Sequence, residues 1–336
     1  MTPGHASSLR VGLGPSMTWI ETDSLSFTAR HDDADLACAH RVLDSLEDLR
    51  LRLEDRFDHA PGNVTIILHD NPAWLSAAHP LLPAVRWSAA PAARRYLAGW
   101  PMAGEIHALN DSWLERRAAG EDSLRALRGT AERMYCQIVL AANNTALPPM
   151  WTPRRFVTYL RWAWLIEGAA QYFTAQTSLF RAAVITRLRE GERPAFPPSR
   201  RDALILGGTV FDMLDRHAGA DACVRMASRL HRAGPRGNLE LAFEARMRDI
   251  ERAWRSHLDE ILYPQSESLA APSLNDALER PDLDLGLGSP PDFSFDPTRT
   301  RRSRRELVEE EDEHERHPHS DQYADRESER RADPWQ

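Results

Sequence analysis

Two glutamates carry most of the chemistry this chain offers. Glu167 is the one charged residue in the apolar, small-residue stretch 162–173. A lone carboxylate in such a helix needs a partner, because burying an unpaired charge is expensive. Glu132 lies upstream, in Ala131-Glu132-Arg133-Met134-Tyr135. If the two carboxylates face one cleft, they suit acid and base roles of the kind used by metal-free hydrolases, and their proximity would raise one pKa. The same residues admit a structural account: Glu132 or Glu167 pairs with Arg133, Arg154 or Arg161, and Tyr135 hydrogen-bonds a carboxylate. His107 follows Glu105 by two residues and so shares its strand face. His69 and His79 are further candidates, although a histidine near a strand end is ordinarily exposed or hydrogen-bonded.

The elements that would hold these groups can be read from periodicity. Residues 18–30 alternate as a strand or the start of a hairpin. Residues 32–57 predict a long helix with Asp33 as N-cap and an apolar stripe of Leu36, Ala39, Val42, Leu43, Leu46, Leu49, Leu51 and Leu53. Residues 64–70 are apolar and rich in β-branched side chains, a strand signal. A helical turn is expected at 72–78 and an irregular Pro/Ala-rich stretch at 80–95, then two short strands at 96–100 and 104–110. Beyond Asp111 the pattern is helical: 123–143, the helix carrying Glu167 after a Pro-rich loop at 147–153, then 179–189, 202–216, 221–232 and 239–262. Strands first and helices after make an α+β body.

Charge separates this body from the C-terminal residues. All 42 basic residues are arginine, and the net charge is −8. Residues 264–336 hold 19 acids against 10 arginines, so residues 1–263 are nearly neutral. No basic footprint for nucleic acid is present in the totals. Residues 1–17 read as a flexible leader, 18–263 as the folded domain, and 264–336 as a disordered acidic and Arg-rich tail. His314, His317 and His319 in that tail offer a weak metal-binding alternative. Cys38, Cys136 and Cys223 are widely spaced and odd in number, so buried thiols are expected rather than disulfides. Without an apolar leader or a run of membrane-spanning length, the expectation is a cytoplasmic protein with no membrane partner.

The segment Trp164-Leu165-Ile166-Glu167-Gly168-Ala169-Ala170-Gln171-Tyr172 resembles the third-ligand helix of the gluzincin, or peptidase MA-like, metallopeptidases, often written W-x-x-E-G-x-A-x-Y. Residues 64–75, 96–110 and 206–214 resemble, in order, the early strand and turn, the Gly-rich edge strand above the cleft, and the helix after the third ligand. The resemblance spans roughly residues 19–263. It implies a zincin-like fold, with a small N-terminal mixed sheet and a mainly helical C-terminal half. Gly168, Ala169 and Ala170 would let the two ligand helices approach. It also implies an upstream HExxH helix, whose two histidines at i and i+4 share one face and one zinc, and whose Glu polarises the bound water. Here that motif is degenerate. Glu132 survives, but Ala131 and Tyr135 stand where the histidines belong, 32 residues before Glu167 in the case of Tyr135. A catalytic zinc takes three protein ligands, so no zinc or other cofactor is expected unless a ligand comes from elsewhere, such as His107.

Three readings stay open. One is a pseudopeptidase that binds a peptide or protein in a cleft formed by Glu167, Trp164, Tyr172, His107 and Gly104. A second is a metal-independent hydrolase using Glu132 and Glu167, with Tyr135 beside them. A third is a zinc peptidase with a relocated ligand.

Overall fold

The computed structural model describes residues 19–79, 81–147 and 153–263, and the leader and tail expected at 1–17 and 264–336 lie outside them. The described residues belong to the first of two units into which the chain divides, Met1–Ala270. They form a mixed α+β body with the sheet at its N-terminal end.

Five strands, β1 (Ile20–Asp23), β2 (Phe27–His31), β3 (Val64–His69), β4 (Gly99–Met102) and β5 (Glu105–Leu109), lie in the order β1-β2-β3-β5-β4. The three central strands run parallel, and each edge strand is the antiparallel arm of a hairpin. Alternation gives the sheet two faces. Phe27, Ala29, Val64, Ile66, Leu68, Ile106 and Ala108 form one apolar face. It packs on α1 (Leu36–Glu54) and α7 (Thr130–Asn143). Contact is close where α7 begins: a Cβ on Gly99 would stand 2.6 Å from the Thr130 methyl.

Short helices complete this half. A 3-10 turn at Asp33–Asp35 leads into α1, and its cap is Asp32, whose side chain accepts from the Ala34 amide. Asp33 does not fill that role. Leu36 and Leu51 face solvent, so the buried stripe of α1 is narrower than the sequence predicts. The helical turn expected at 72–78 is α2 (Pro72–Ala78), and the stretch expected to be irregular, 80–95, is largely helical, as α3 (Leu82–Ser88) and α4 (Pro91–Arg94). Each of the three has proline in its first turn, where its missing N–H costs nothing. After β5 come α5 (Asp111–Arg117) and α6 (Glu121–Arg128). The single helix expected at 123–143 is broken at Gly129, where a side chain would collide with Gln176.

The C-terminal half is helical. It contains α8 (Pro153–Phe173), α9 (Arg181–Arg189), α10 (Ala203–Ala218), α11 (Ala220–Ser228), α12 (Pro235–Phe243) and α13 (Met247–Leu262). The helix expected at 239–262 is two, divided where Glu244 turns left-handed at φ 50°. α8 lies between α7 and α10. The small residues near Glu167 divide their task. Gly168 meets Gly207 of α10, where an added Cβ would stand 2.5 Å from backbone atoms, whereas Ala169 faces Cys136 of α7. Two buried polar contacts brace this half: Trp254 Nε1 donates to Thr209 Oγ1 at 2.8 Å, and Arg187 pairs with Asp202 at 2.5 Å. No helix among the described residues is long and apolar enough to cross a membrane.

Candidate functional site

The helical twist of α7 sends its polar residues to different neighbours. Glu132 points toward α1 and the far end of α8, where it accepts from Gln176 Nε2 at 3.0 Å and lies beside Ser45. Tyr135 is inserted beneath the sheet, edge-on to Phe27, and its hydroxyl donates to the Pro61 carbonyl at 2.9 Å. It bonds no carboxylate. The side chains that lie toward Glu167 are Arg133 and Gln137, themselves an i, i+4 pair on one face.

Arg133 is fully buried. Its guanidinium donates to the Ala126 carbonyl, to Gln176 Oε1 and to Thr130 Oγ1, and it sits over the Phe180 ring at 5.2 Å. Gln176 therefore bridges Arg133 and Glu132, accepting from one and donating to the other. Burial pulls the Arg133 pKa down to about 10, opposed by the charges of Glu167 and Glu132. Arg133 reaches Glu167 through its field, since no ion pair joins them among the described residues. Arg154 and Arg161 do not approach Glu167 as partners either: both are exposed, and Arg161 lies against Gly234.

Glu167 is buried on α8. Its Oε1 accepts from the Tyr159 hydroxyl at 2.8 Å, while Oε2 has no hydrogen-bond partner among the described residues. Gln137 lies alongside, but its amide is outside hydrogen-bonding geometry and is also without a partner. Burial raises the Glu167 pKa against the pull of Tyr159, Arg133 and Gln137. Glu132 is raised as well, again by burial first, with Ser45 and three arginines opposing. The two carboxylates thus share a direction of shift but not a set of partners: one turns to Gln176 and Ser45, the other to Tyr159.

A second polar line runs along the outer sheet face. His69 and His107 stack, with Nε2 of the first 2.9 Å from Nδ1 of the second. The hydrogen bond requires one ring to donate and the other to accept, with the tautomers set by their surroundings. Trp19 stands edge-on to His69, and Nε2 of His107 lies 3.6 Å from Glu105 without a hydrogen bond. Burial, then His107, pulls the His69 pKa down to about 4. His107 is lowered by burial too, against Glu105. Further along this face His79 packs on Trp100, and Trp100 approaches Tyr159 at 6.0 Å. The histidine line therefore meets the Glu167 pocket through an indole and a phenol.

The residues expected to line a cleft do not gather round one opening. Glu167, Trp164 and His107 are buried. Tyr172 is half-buried and stacks toward Phe211 of α10. Gly104 is in the exposed β4–β5 turn at φ 77°, where a side chain would be strained, and its carbonyl accepts from the Thr65 amide. Nor does His107 supply a metal ligand set. Its Nδ1 is engaged by His69, and among the described residues no group of three or more His, Cys, Asp or Glu is arranged to hold a metal ion. All three cysteines are buried and free.

Three contributors escape the sequence reading: Tyr159, Gln137 and Gln176. Tyr159 precedes Glu167 by eight residues, about two helical turns, which is the available signal. Gln176 lies beyond the end of α8, and no spacing rule ties it to α7. No protein-family model matches the chain, and no curated protein matches it.

Proposed function

We propose that this chain is a non-catalytic domain on a zincin-like frame, with a binding role, in which Glu167 has become a structural hydrogen-bond acceptor. The observation that carries this reading is the face of α7 turned to Glu167. It presents Arg133 and Gln137 at i and i+4, where a metal site on this helix pair would need two ligands. A guanidinium has no lone pair to offer and keeps its charge, so it repels a divalent cation from the place where it stands. Moving the register back to Ala131 and Tyr135 helps no more, since one is a methyl group and the other donates to Pro61. The residues present do not fit zinc. Support for the frame comes from the mixed sheet with its antiparallel edge strands, followed by α7 and the Trp164–Tyr172 motif on α8.

The metal-independent hydrolase draws less support, because Glu132 and Glu167 are committed to separate partners. Binding belongs away from Glu167 and Trp164, which have no surface to offer. The test loads the purified full chain with zinc, desalts it, and measures metal content alongside hydrolysis of a mixed peptide substrate. The expected result is no stoichiometric zinc and no hydrolysis that depends on Glu132. One zinc per chain, lost in Glu167→Ala, overturns the reading, and so does a hydrolysis abolished by Glu132→Gln.

A further inference from the structure

The helices α2 to α4 do more than cover the sheet. With α5 they enclose a surface cavity of about 310 Å³, the size at which small-ligand pockets begin. α2 follows β3 and α5 follows β5, so the cavity is built from segments leaving the carboxyl ends of two parallel neighbours. Ligands of open α/β sheets gather at that end.

Its lining is chemically one-sided. Leu75, Leu82 and Leu97 make an apolar floor. Arg86, Arg94 and Arg117 stand around it, and no aspartate or glutamate among the described residues does. Most of the donors on these guanidiniums are unused. Among the described residues Arg117 gives one N–H to the Leu97 carbonyl, Arg94 gives two to the carbonyls of Ala89 and Trp87, and Arg86 gives none. Among the described residues none of the three forms an ion pair with a carboxylate. Arg117, the half-buried one of the three, differs in this from several other buried or half-buried arginines. Arg187 has Asp202, Arg41 has Asp111, and Arg133 has the fields of two glutamates. Arg117 has neither: burial and then the charge of Arg86 both act against its protonation, drawing its pKa down to about 10. It still carries its charge at neutral pH. The cavity therefore holds three like charges with no counter-charge in its described walls.

Trp87 completes the set. It lines the same cavity and the residue is 79% exposed, an arrangement that leaves its indole open for stacking. Several guanidinium forks around one space suit an anion with three peripheral oxygens better than a single carboxylate. An exposed indole beside them suits a planar body.

We propose that this cavity binds a small organic phosphate with a planar aromatic body, of the mononucleotide class, with Arg86, Arg94 and Arg117 on the phosphate and Trp87 on the ring. The cavity is independent of the role given to Glu167, and its failure would leave that reading intact.

The test titrates the full chain with adenosine monophosphate by calorimetry at low salt, beside adenosine, ribose 5-phosphate and citrate. Saturable binding of the nucleotide at one site is expected, weakening as salt is added. Arg86→Gln with Arg94→Gln should weaken it at least about tenfold, because charge-assisted hydrogen bonds are lost. Both arginines are exposed, so the double variant should keep its fold, checked by circular dichroism. Trp87→Ala should weaken the nucleotide about tenfold and leave ribose 5-phosphate unchanged, as loss of one stacking partner predicts. No saturable nucleotide binding overturns the proposal, as does binding indifferent to the double arginine variant. Adenosine binding as tightly as its phosphate also overturns it, as does citrate binding as tightly as the nucleotide.

Discussion

Tyr159 and Glu167 stand on the same helix, eight residues apart, and the phenol hydroxyl donates to the carboxylate at 2.8 Å. Eight residues are two turns and roughly 80° more, so α8 supplies the partner of its own buried charge. The neighbouring helix contributes a field, from Arg133, and an amide that does not bond.

Removing that hydroxyl leaves the carboxylate with no hydrogen bond. Tyr159→Phe should destabilise the fold by about 1–3 kcal/mol, the cost of an unsatisfied buried acceptor, measured by urea denaturation at pH 7. A loss within error would show that Glu167 is satisfied in another way.

Glu167 also sets a pH dependence whose sign follows from its raised pKa. The folded state favours the protonated carboxyl, so the contribution of Glu167 is fully present below its unfolded value, near 4.5, and is lost as pH rises through the folded value. Glu167→Gln, which cannot ionise, should therefore gain stability relative to the parent chain between pH 4 and pH 8. A gap between the two chains that is constant with pH would contradict this.

The His69–His107 pair acts in the opposite direction. Both folded pKa values are depressed, that of His69 to about 4 from 6.5. Their stabilising contribution is present above pH 6.5 and lost as pH falls toward 4, because the unfolded chain takes up protons that the folded one refuses. The expected loss over that interval is on the order of 2 kcal/mol, after discounting for residual solvent contact. His69→Gln should remove most of it, and proton NMR should show the His69 ring still neutral at pH 5.5.

The crossing of α8 and α10 tolerates no side chain. Gly168→Ala would bring a methyl carbon to 2.5 Å from the Gly207 carbonyl carbon and oxygen. Backbone cannot rotate away, so the helices must part, at a cost of about 2–3 kcal/mol typical of overpacking. Thermal denaturation would register this as a lowered Tm, and an unchanged Tm would place the two helices further apart.

The Arg187–Asp202 pair is bidentate and buried, with separations of 2.5 and 3.1 Å. Truncating one member strands the other charge. Arg187→Ala should cost about 3–5 kcal/mol, whereas replacing both by apolar residues of similar volume should cost much less. A double-mutant cycle in urea measures the difference.

The sheet and the main helices are legible in the sequence because Val64–His69 is an apolar run rich in β-branched side chains and because the apolar positions of α1 recur near a period of 3.6. The breaks are harder to see. Gly129 divides α6 from α7 because Gln176, 47 residues away, occupies the space a side chain would need. Such a contact leaves no local trace. Residues 80–95 read as irregular because prolines mask two helices that use them at their first turns. The spacing read from Glu167 points to Ala131 and Tyr135 on α7, and the geometry of that helix turns another pair toward Glu167. Ala131 and Tyr135, aligned on the HExxH spacing, belong to a face that turns to Phe27 and Pro61, while Arg133 and Gln137 lie toward Glu167. A spacing pattern in one helix does not fix that helix's rotation against its neighbour.

The bare backbone meeting of Gly168 and Gly207 has a kinetic side as well. Around Gly168 of α8 and Gly207 of α10 each backbone lies directly against the other, so no side-chain motion can admit solvent to the amides there. Their exchange with solvent hydrogen should therefore require the helices to separate, a slow event that native-state hydrogen exchange would register as strong protection.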